Sequence, residues 1–119
     1  MKGISRPQLS VLLLMYKQNY KLICNEGADY KCWLEDENGV KLPYVINRNT
    51  GNSLHTGGWV EGDMSVAVRG NKFYHKLTKK AKNRLEFWYG FPSYRREMDS
   101  LLTILHRKMH VKESVKTVR

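Results

Sequence analysis

The apolar residues of this chain change their spacing near residue 20, and that change limits the folds open to it. Before this point they recur at helical spacing, at Leu9, Leu12, Leu13 and Tyr16. After it they form short runs rich in aromatic and branched residues, which are typical of β-strands. Helical patterns return later in the chain, so the sequence predicts an α+β fold.

The first helix is predicted from a capping box. Ser5 is the expected N-cap, Gln8 completes the box three residues later, and the helical spacing ends near Gln18–Asn19. Residues 20–42 then predict a small antiparallel meander of three short strands, with Asn38-Gly39 in its second turn. Because this segment is moderately acidic, we expect it to face away from any polyanion.

A second helix, over residues 48–56, is unusually polar. Asn47 is its expected cap, and we expect Gly57 to take the left-handed conformation that ends it. Gly51, in its middle, costs about 1 kcal/mol relative to alanine. Helix propensity does not account for this composition, so another requirement selected these residues.

The next segment predicts a β-hairpin. Trp59 to Glu61 resembles a strand, and Met64, Val66 and Val68 alternate with small residues. We therefore expect residues 63–77 to form a hairpin with basic residues at its tip.

Two helices follow the hairpin. Thr78 is the expected cap of the first, which buries Ala81, Leu85 and Trp88 and stops at Gly90-Phe91-Pro92. The second begins at Ser93. We divide the chain into a winged-helix-like domain over residues 1–92, a C-terminal helix over residues 93–110, and a flexible basic tail over residues 111–119.

The chain of 119 residues has a net charge of +10, and all of it comes from the second half. Residues 1–68 hold seven basic and seven acidic residues, whereas residues 69–119 hold 14 basic and four acidic residues. This asymmetry is expected of a surface that faces a polyanion. A charged face that only keeps the protein in solution is the alternative.

Other features exclude several classes of protein. No apolar run reaches the roughly 18–20 residues that a membrane span needs, so we predict no membrane partner. The run Val11–Tyr16 is too short for an export signal and lacks a cleavage site. Two cysteines cannot form a disulfide framework, and we expect Cys24 and Cys32 to be small core residues of a cytoplasmic protein.

From Asn47 onward, the order of elements resembles a winged helix-turn-helix domain, as in small MarR-like, PadR-like and phage-borne regulators. The stretches that carry the resemblance are Asn47-Arg48-Asn49-Thr50 with Leu54, Gly57-Gly58-Trp59-Val60-Glu61, and Tyr74 to Ala81. With the first helix included, it covers roughly residues 4–88. The segment before the polar helix departs from the family, because it predicts strands where a second helix is usual.

The resemblance implies a sequence-specific protein that binds double-stranded DNA, such as a transcriptional regulator of a bacterium or phage. The polar helix would then enter the major groove, where arginine suits guanine and asparagine suits adenine. The expected base-reading residues are Arg48, Asn49, Asn52, Ser53 and His55. A helix that is polar only because it faces solvent is the alternative, although such helices usually contain more Glu, Lys and Ala.

Basic residues outside this helix are expected to contact the DNA backbone, with an affinity that falls steeply with salt. The expected residues are Arg69, Lys72, Lys79, Lys80 and Lys82. For the pair at the hairpin tip, the alternative is an edge that basic residues protect from pairing.

The last helix carries an apolar stripe that we expect to form a homodimer on a palindromic site. Its residues are Met98, Leu101, Leu102 and Leu105. The alternative is that the stripe packs on its own domain.

Catalysis finds no support, because the sequence has no phosphate loop, nucleophile elbow or paired-carboxylate motif. His106 and His110 have the spacing of two metal ligands but lack a clear third ligand. We therefore expect no catalytic residues, no metal and no cofactor.

Two other partners stay open. The aromatic residues at the junction of the last two helices are Phe87, Trp88, Tyr89, Phe91 and Tyr94. They would suit a phage or mobile-element protein that inhibits a host protein or nucleoprotein complex, or they form a corner of the core. A third interpretation of the composition is RNA binding, in which aromatic side chains stack on bases.

Overall fold

The computed structural model describes residues 1–25, 30–67 and 70–117, with side chains described up to residue 109. This part of the chain has four helices and four strands, which confirms an α+β fold. The elements are α1 (Arg6–Gln18), β1 (Lys21–Cys24), β2 (Cys32–Glu35), α2 (Arg48–Thr56), β3 (Val60–Gly62), β4 (Phe73–Leu77), α3 (Lys79–Tyr89) and α4 (Pro92–Thr117). None of the helices described here is long and apolar enough to cross a bilayer.

α1 is the central helix of the core, and both of its predicted ends are confirmed. The Ser5 hydroxyl accepts a hydrogen bond from the Gln8 backbone at 3.3 Å, and the Gln8 side chain accepts one from the Ser5 backbone at 2.8 Å. Asn19 takes the left-handed conformation at the C-terminus, with φ of 60°. Between these ends, the run from Leu9 to Met15 is buried.

The predicted meander is part of a larger antiparallel sheet with the strand order β2-β1-β4-β3. β1 pairs with β2 as expected, and its other edge pairs with β4, where Leu22 lies opposite His75. The third predicted strand, Val40 to Leu42, is reduced to one bridge between Lys41 and Glu35. Pro43 follows it and has no N–H group with which to continue the ladder.

The predicted hairpin is also changed. β3 pairs with β4, but residues 64–66 form a turn and a bend instead of a strand. The Asp63 carboxylate accepts hydrogen bonds from the backbone and the hydroxyl of Ser65, at 3.0 and 2.6 Å, and the Asp63 carbonyl accepts one from the Val66 backbone. This local bonding competes with strand pairing, so the prediction from alternating residues was wrong here. Val68 lies outside the described residues.

The last two helices pack on the rest of the chain. Thr78 caps α3, and Ala81, Leu85 and Trp88 are buried, as predicted. α4 begins at Pro92 and is helical through Thr117, beyond the expected end at residue 110, because neither glycine nor proline interrupts residues 93–117.

The apolar stripe of α4 belongs to the core of a single chain. Its members Met98, Leu101, Leu102 and Leu105 are all buried within the same hydrophobic cluster as α1 and α3. The helix contacts both of these helices. The arrangement is therefore the alternative in which the stripe packs on its own domain, and it leaves these four residues unavailable to a second copy.

Candidate nucleic-acid interface

The polar helix α2 has its predicted bounds, and Asn47 caps it by accepting a hydrogen bond from the Asn49 backbone at 2.8 Å. Its inner face consists of Gly51 and Leu54, which are buried. The predicted left-handed residue is displaced by one position. Gly57 has an ordinary φ of −79°, whereas Gly58 has a φ of +72°.

The outer face of α2 is continuous and polar. Arg48, Asn49, Asn52 and Thr56 are exposed, and at about 100° per residue they occupy one arc of the helix. We call these four residues the outer arc of α2. Thr56 was not among the expected base-reading residues, although its position four residues after Asn52 places it on this face. Three of the five expected base-reading residues belong to the outer arc, and a fourth, His55, is exposed about 20° around the helix from Arg48.

Ser53 does not belong to the outer arc. Its hydroxyl accepts a hydrogen bond from the Gln8 side chain of α1 at 2.8 Å and donates one to the Thr50 carbonyl at 2.9 Å. The side chain is half-buried. Ser53 therefore holds α2 against α1, which differs from the base-reading role expected from the sequence.

The C-terminal end of α2 is fastened to α3. The Lys80 ammonium donates a hydrogen bond to the Gly57 carbonyl at 2.7 Å and lies 4.8 Å from the centre of the Trp59 ring. The Thr78 hydroxyl donates to the Gly58 carbonyl, also at 2.7 Å. A cation at a helix C-terminus interacts favourably with the negative end of the helix dipole. Lys80 thus supports α2, although we expected it to contact phosphate.

The other expected phosphate contacts are distributed over two elements. Lys79 and Lys82 are exposed on α3, and Lys72 is exposed just before β4. Arg69 lies outside the described residues. Of the α3 lysines, Lys80 contacts the end of α2, and at about 100° per residue Lys79 and Lys82 lie about 100° and 200° around the helix from it.

Four side chains meet where α2 packs on the sheet, and we call them the thiol–imidazole cluster. Its members are Cys24 on β1, Cys32 on β2, His55 on α2 and His75 on β4. The two sulfur atoms are 2.7 Å apart, and the two imidazole rings meet edge to face with centroids 4.4 Å apart. His55 is exposed, as a base-reading residue would have to be, and the other three residues are buried.

Burial and close contact shift the pKa values in this cluster. A hydrogen bond with Cys32 and burial raise the pKa of the Cys24 thiol. The same hydrogen bond lowers the pKa of Cys32 to about 7. Burial and the neighbouring His55 lower the pKa of His75. Both effects favour the neutral imidazole.

The sequence predicts Cys24 and Cys32 on neighbouring strands, but it does not bring the two histidines to them, because β4 and α2 reach the cysteines only in the folded chain. One signal was present, namely the unexplained glycine in the middle of α2. A Cβ atom on Gly51 would lie 2.7 Å from the Cys32 sulfur, so α2 can rest on the cysteine pair only without a side chain there.

The aromatic junction of α3 and α4 is divided between core and surface. Trp88 is buried, whereas Phe87 and Phe91 are 59% and 44% exposed. Their rings meet edge to face with centroids 5.1 Å apart, and Phe91 contacts Tyr94 in the same way at 5.8 Å. We call Phe87, Phe91 and Tyr94 the aromatic edge. The predicted histidine pair on α4 is described only in part, since the His110 side chain lies outside the described residues.

The chain was also compared with known proteins. No protein-family model, no curated protein and no solved structure matches it.

Proposed function

We propose that the protein binds double-stranded DNA in a sequence-specific manner and that α2 is its recognition helix. The observation that carries the proposal is the outer arc of α2, which offers arginine, asparagine and threonine to solvent on one face. The whole helix contains no acidic residue. These side chains can donate to and accept from base edges in the major groove, and none of them repels phosphate.

The attachment of α2 supports this role. Its middle is hydrogen-bonded to α1 through Ser53 and Gln8, and its end is hydrogen-bonded to α3 through Lys80 and Gly57. A helix that is held in position before DNA arrives loses less conformational freedom on binding, which favours affinity. In this proposal Arg48, Asn49, Asn52 and Thr56 contact bases. Ser53 and Lys80 position the helix.

Backbone contacts are assigned to exposed lysines of α3 and of the segment before β4. Lys79 and Lys82 are exposed on α3, one residue before and two residues after the lysine that binds the Gly57 carbonyl. Lys72 extends this charge toward the hairpin. Contacts of this kind fix the position of a protein on the duplex and make the affinity dependent on salt.

The element order also favours a winged-helix type of regulator, the class that the sequence resembles. Along the chain, α1 and β1 come first, the polar helix α2 follows β2, and the paired strands β3 and β4 precede α3, which supports this assignment. In place of the usual second helix, the chain has β2. Support for the recognition helix then comes from α1, through the hydrogen bond between Gln8 and Ser53.

Binding is tested by fluorescence anisotropy with a labelled duplex of mixed sequence at two salt concentrations. We expect binding that weakens steeply with salt and a shallower salt dependence in the Lys79→Ala/Lys82→Ala variant. The matched control is Lys31→Ala/Lys41→Ala, which removes the same charge beside β2 and should retain more affinity. Absence of duplex binding at low salt, or equal losses in the two variants, would contradict the proposal.

A second candidate function is favoured by the aromatic edge. Two phenylalanines lie exposed beside a cavity of about 470 Å³ that is lined in part by Arg84 and Trp88. Exposed aromatic residues next to arginine are typical of protein-binding hot spots. If a protein is the partner, Phe87→Ser/Phe91→Ser should abolish its capture, whereas Arg48→Ala should not.

A further inference from the structure

Three donor atoms beneath α2 lie close enough to suggest a metal site. One donor atom each from Cys24, His55 and His75 lies within 4.8 Å of the other two. In tetrahedral zinc sites the ligand atoms lie about 2.0–2.3 Å from the metal, which places them ~3.3–3.8 Å from one another. Side-chain shifts on the order of 1 Å would therefore bring these atoms to bonding distances.

Cys32 can supply the fourth ligand. It lies opposite Cys24 in the register of β1 and β2, with the two sulfur atoms 2.7 Å apart. Rotation about the Cα–Cβ bonds would separate the sulfurs to the distance that two ligands of one ion require. The set would then be two thiolates and two imidazoles, which is a common ligand set of structural zinc.

The surroundings of the thiol–imidazole cluster favour metal binding. Nδ1 of His75 donates a hydrogen bond to the Phe73 carbonyl at 2.9 Å, so the neutral ring keeps its lone pair on Nε2. Backbone carbonyls orient metal-binding histidines in this way. His55 is exposed and gives solvent access to the otherwise buried cluster.

We propose that the thiol–imidazole cluster binds one zinc ion, which ties α2 to three strands of the sheet. Thiolate and imidazole together favour zinc over magnesium or calcium, which prefer oxygen ligands. On binding, each thiol releases its proton, and the two thiolates neutralise the charge of the ion in its buried site. This proposal rests on the fold and does not depend on DNA binding.

Cobalt substitution provides the direct test on the full chain. The reduced protein is freed of metal with a chelator and titrated with Co²⁺. We expect saturation at one ion per chain, with the strong visible bands of tetrahedral cobalt and a thiolate-to-cobalt charge-transfer band. Added Zn²⁺ should displace the cobalt and raise the Tm of the metal-free protein.

Conservative variants identify the ligands. Cys32→Ser should reduce the charge-transfer intensity to about half, since one of two thiolates is lost. His55→Gln, at an exposed position, should keep the fold and weaken affinity by more than the roughly 10–100-fold expected for an outer-shell change. The control is His106→Gln on α4, which should bind as the natural protein does.

Three results would overturn the proposal. The first is weak, six-coordinate cobalt bands or no bands in the reduced protein. The second is unchanged cobalt binding in His55→Gln or in Cys32→Ser. The third is a Cys24–Cys32 disulfide in the purified protein whose two thiols do not bind zinc once they have been reduced.

Discussion

A Cβ atom on Gly51 would lie 2.7 Å from the sulfur of Cys32. This contact explains a glycine in the middle of a nine-residue helix that has few strong helix formers. Gly51 is buried, and the helix rests directly on the cysteine pair of β1 and β2. The position of α2, and therefore of its outer arc, depends on this close approach.

Gly51→Ala should destabilise the protein by about 1 kcal/mol, because overpacking of about 1–3 kcal/mol exceeds the helix-propensity gain of about 1 kcal/mol. In a Cys32→Ala background, the same change should stabilise, since the sulfur is gone. Urea unfolding with a chelator present measures both. A Gly51→Ala protein more stable than the natural one would contradict the contact.

Lys80→Ala should lower the free energy of unfolding by about 0.5–1 kcal/mol, because it removes a charged donor from the Gly57 carbonyl at the end of α2. Lys79→Ala is the matched control, since this neighbouring lysine is exposed and should leave the stability unchanged. Thermal unfolding distinguishes the two. Equal stability of both variants would show that the hydrogen bond contributes nothing.

Because the apolar stripe of α4 is buried, we expect truncation of its residues to lower the free energy of unfolding. Leu105→Ala should cost about 2–5 kcal/mol, as expected for a buried leucine, and Ile104→Ala, at a 39% exposed position, should cost much less. The Tm of the natural protein should not depend on its concentration. A Tm that rises with concentration, and loses that dependence in Leu105→Ala, would restore the dimer interpretation.

Because of the turn at Asp63, we expect the free energy of unfolding to depend on pH. Hydrogen bonds from Ser65 lower the pKa of the Asp63 carboxyl in the folded state. A lowered folded-state pKa stabilises the protein above the ordinary aspartate range, and this contribution disappears as the pH falls through the folded-state value. The stability difference between the natural protein and Asp63→Ala should therefore shrink in acid. A difference that grows in acid would contradict the turn.

Loss of a base contact should reduce sequence preference, whereas loss of a backbone contact should reduce affinity for every sequence. Arg48→Ala should relax the preferred sequence at one base pair, because only a base contact discriminates between sequences. Lys79→Ala should weaken binding to all sequences about equally. Selection from a random duplex library, repeated with each variant, measures both effects. If both variants lost affinity uniformly, Arg48 would have no base-reading role.

Much of the helical structure could be predicted, because helix ends are determined by nearby residues. Ser5, Asn47 and Thr78 all cap the helices expected of them. Nearby residues also explain why the strand expected at Met64 does not form. The Asp63 side chain makes a local turn that the alternating pattern does not reveal.

The functional surface was predictable only in part. Periodicity identifies which residues of α2 lie on one face, but it does not reveal that Ser53 binds Gln8, 45 residues away. The thiol–imidazole cluster was missed for the same reason. His75 is brought to Cys24 by the pairing of β1 with β4, a contact between distant parts of the chain.

The central claim is that α2 faces DNA, and NMR titration tests it most directly. Labelled protein is titrated with a mixed-sequence duplex at low salt while backbone amide shifts are followed. The account predicts the largest shifts at Arg48, Asn49, Asn52 and Thr56, smaller shifts at Lys79, and almost none at Trp33 on β2. Shifts confined to β2 or to the aromatic edge, with α2 unchanged, would contradict it.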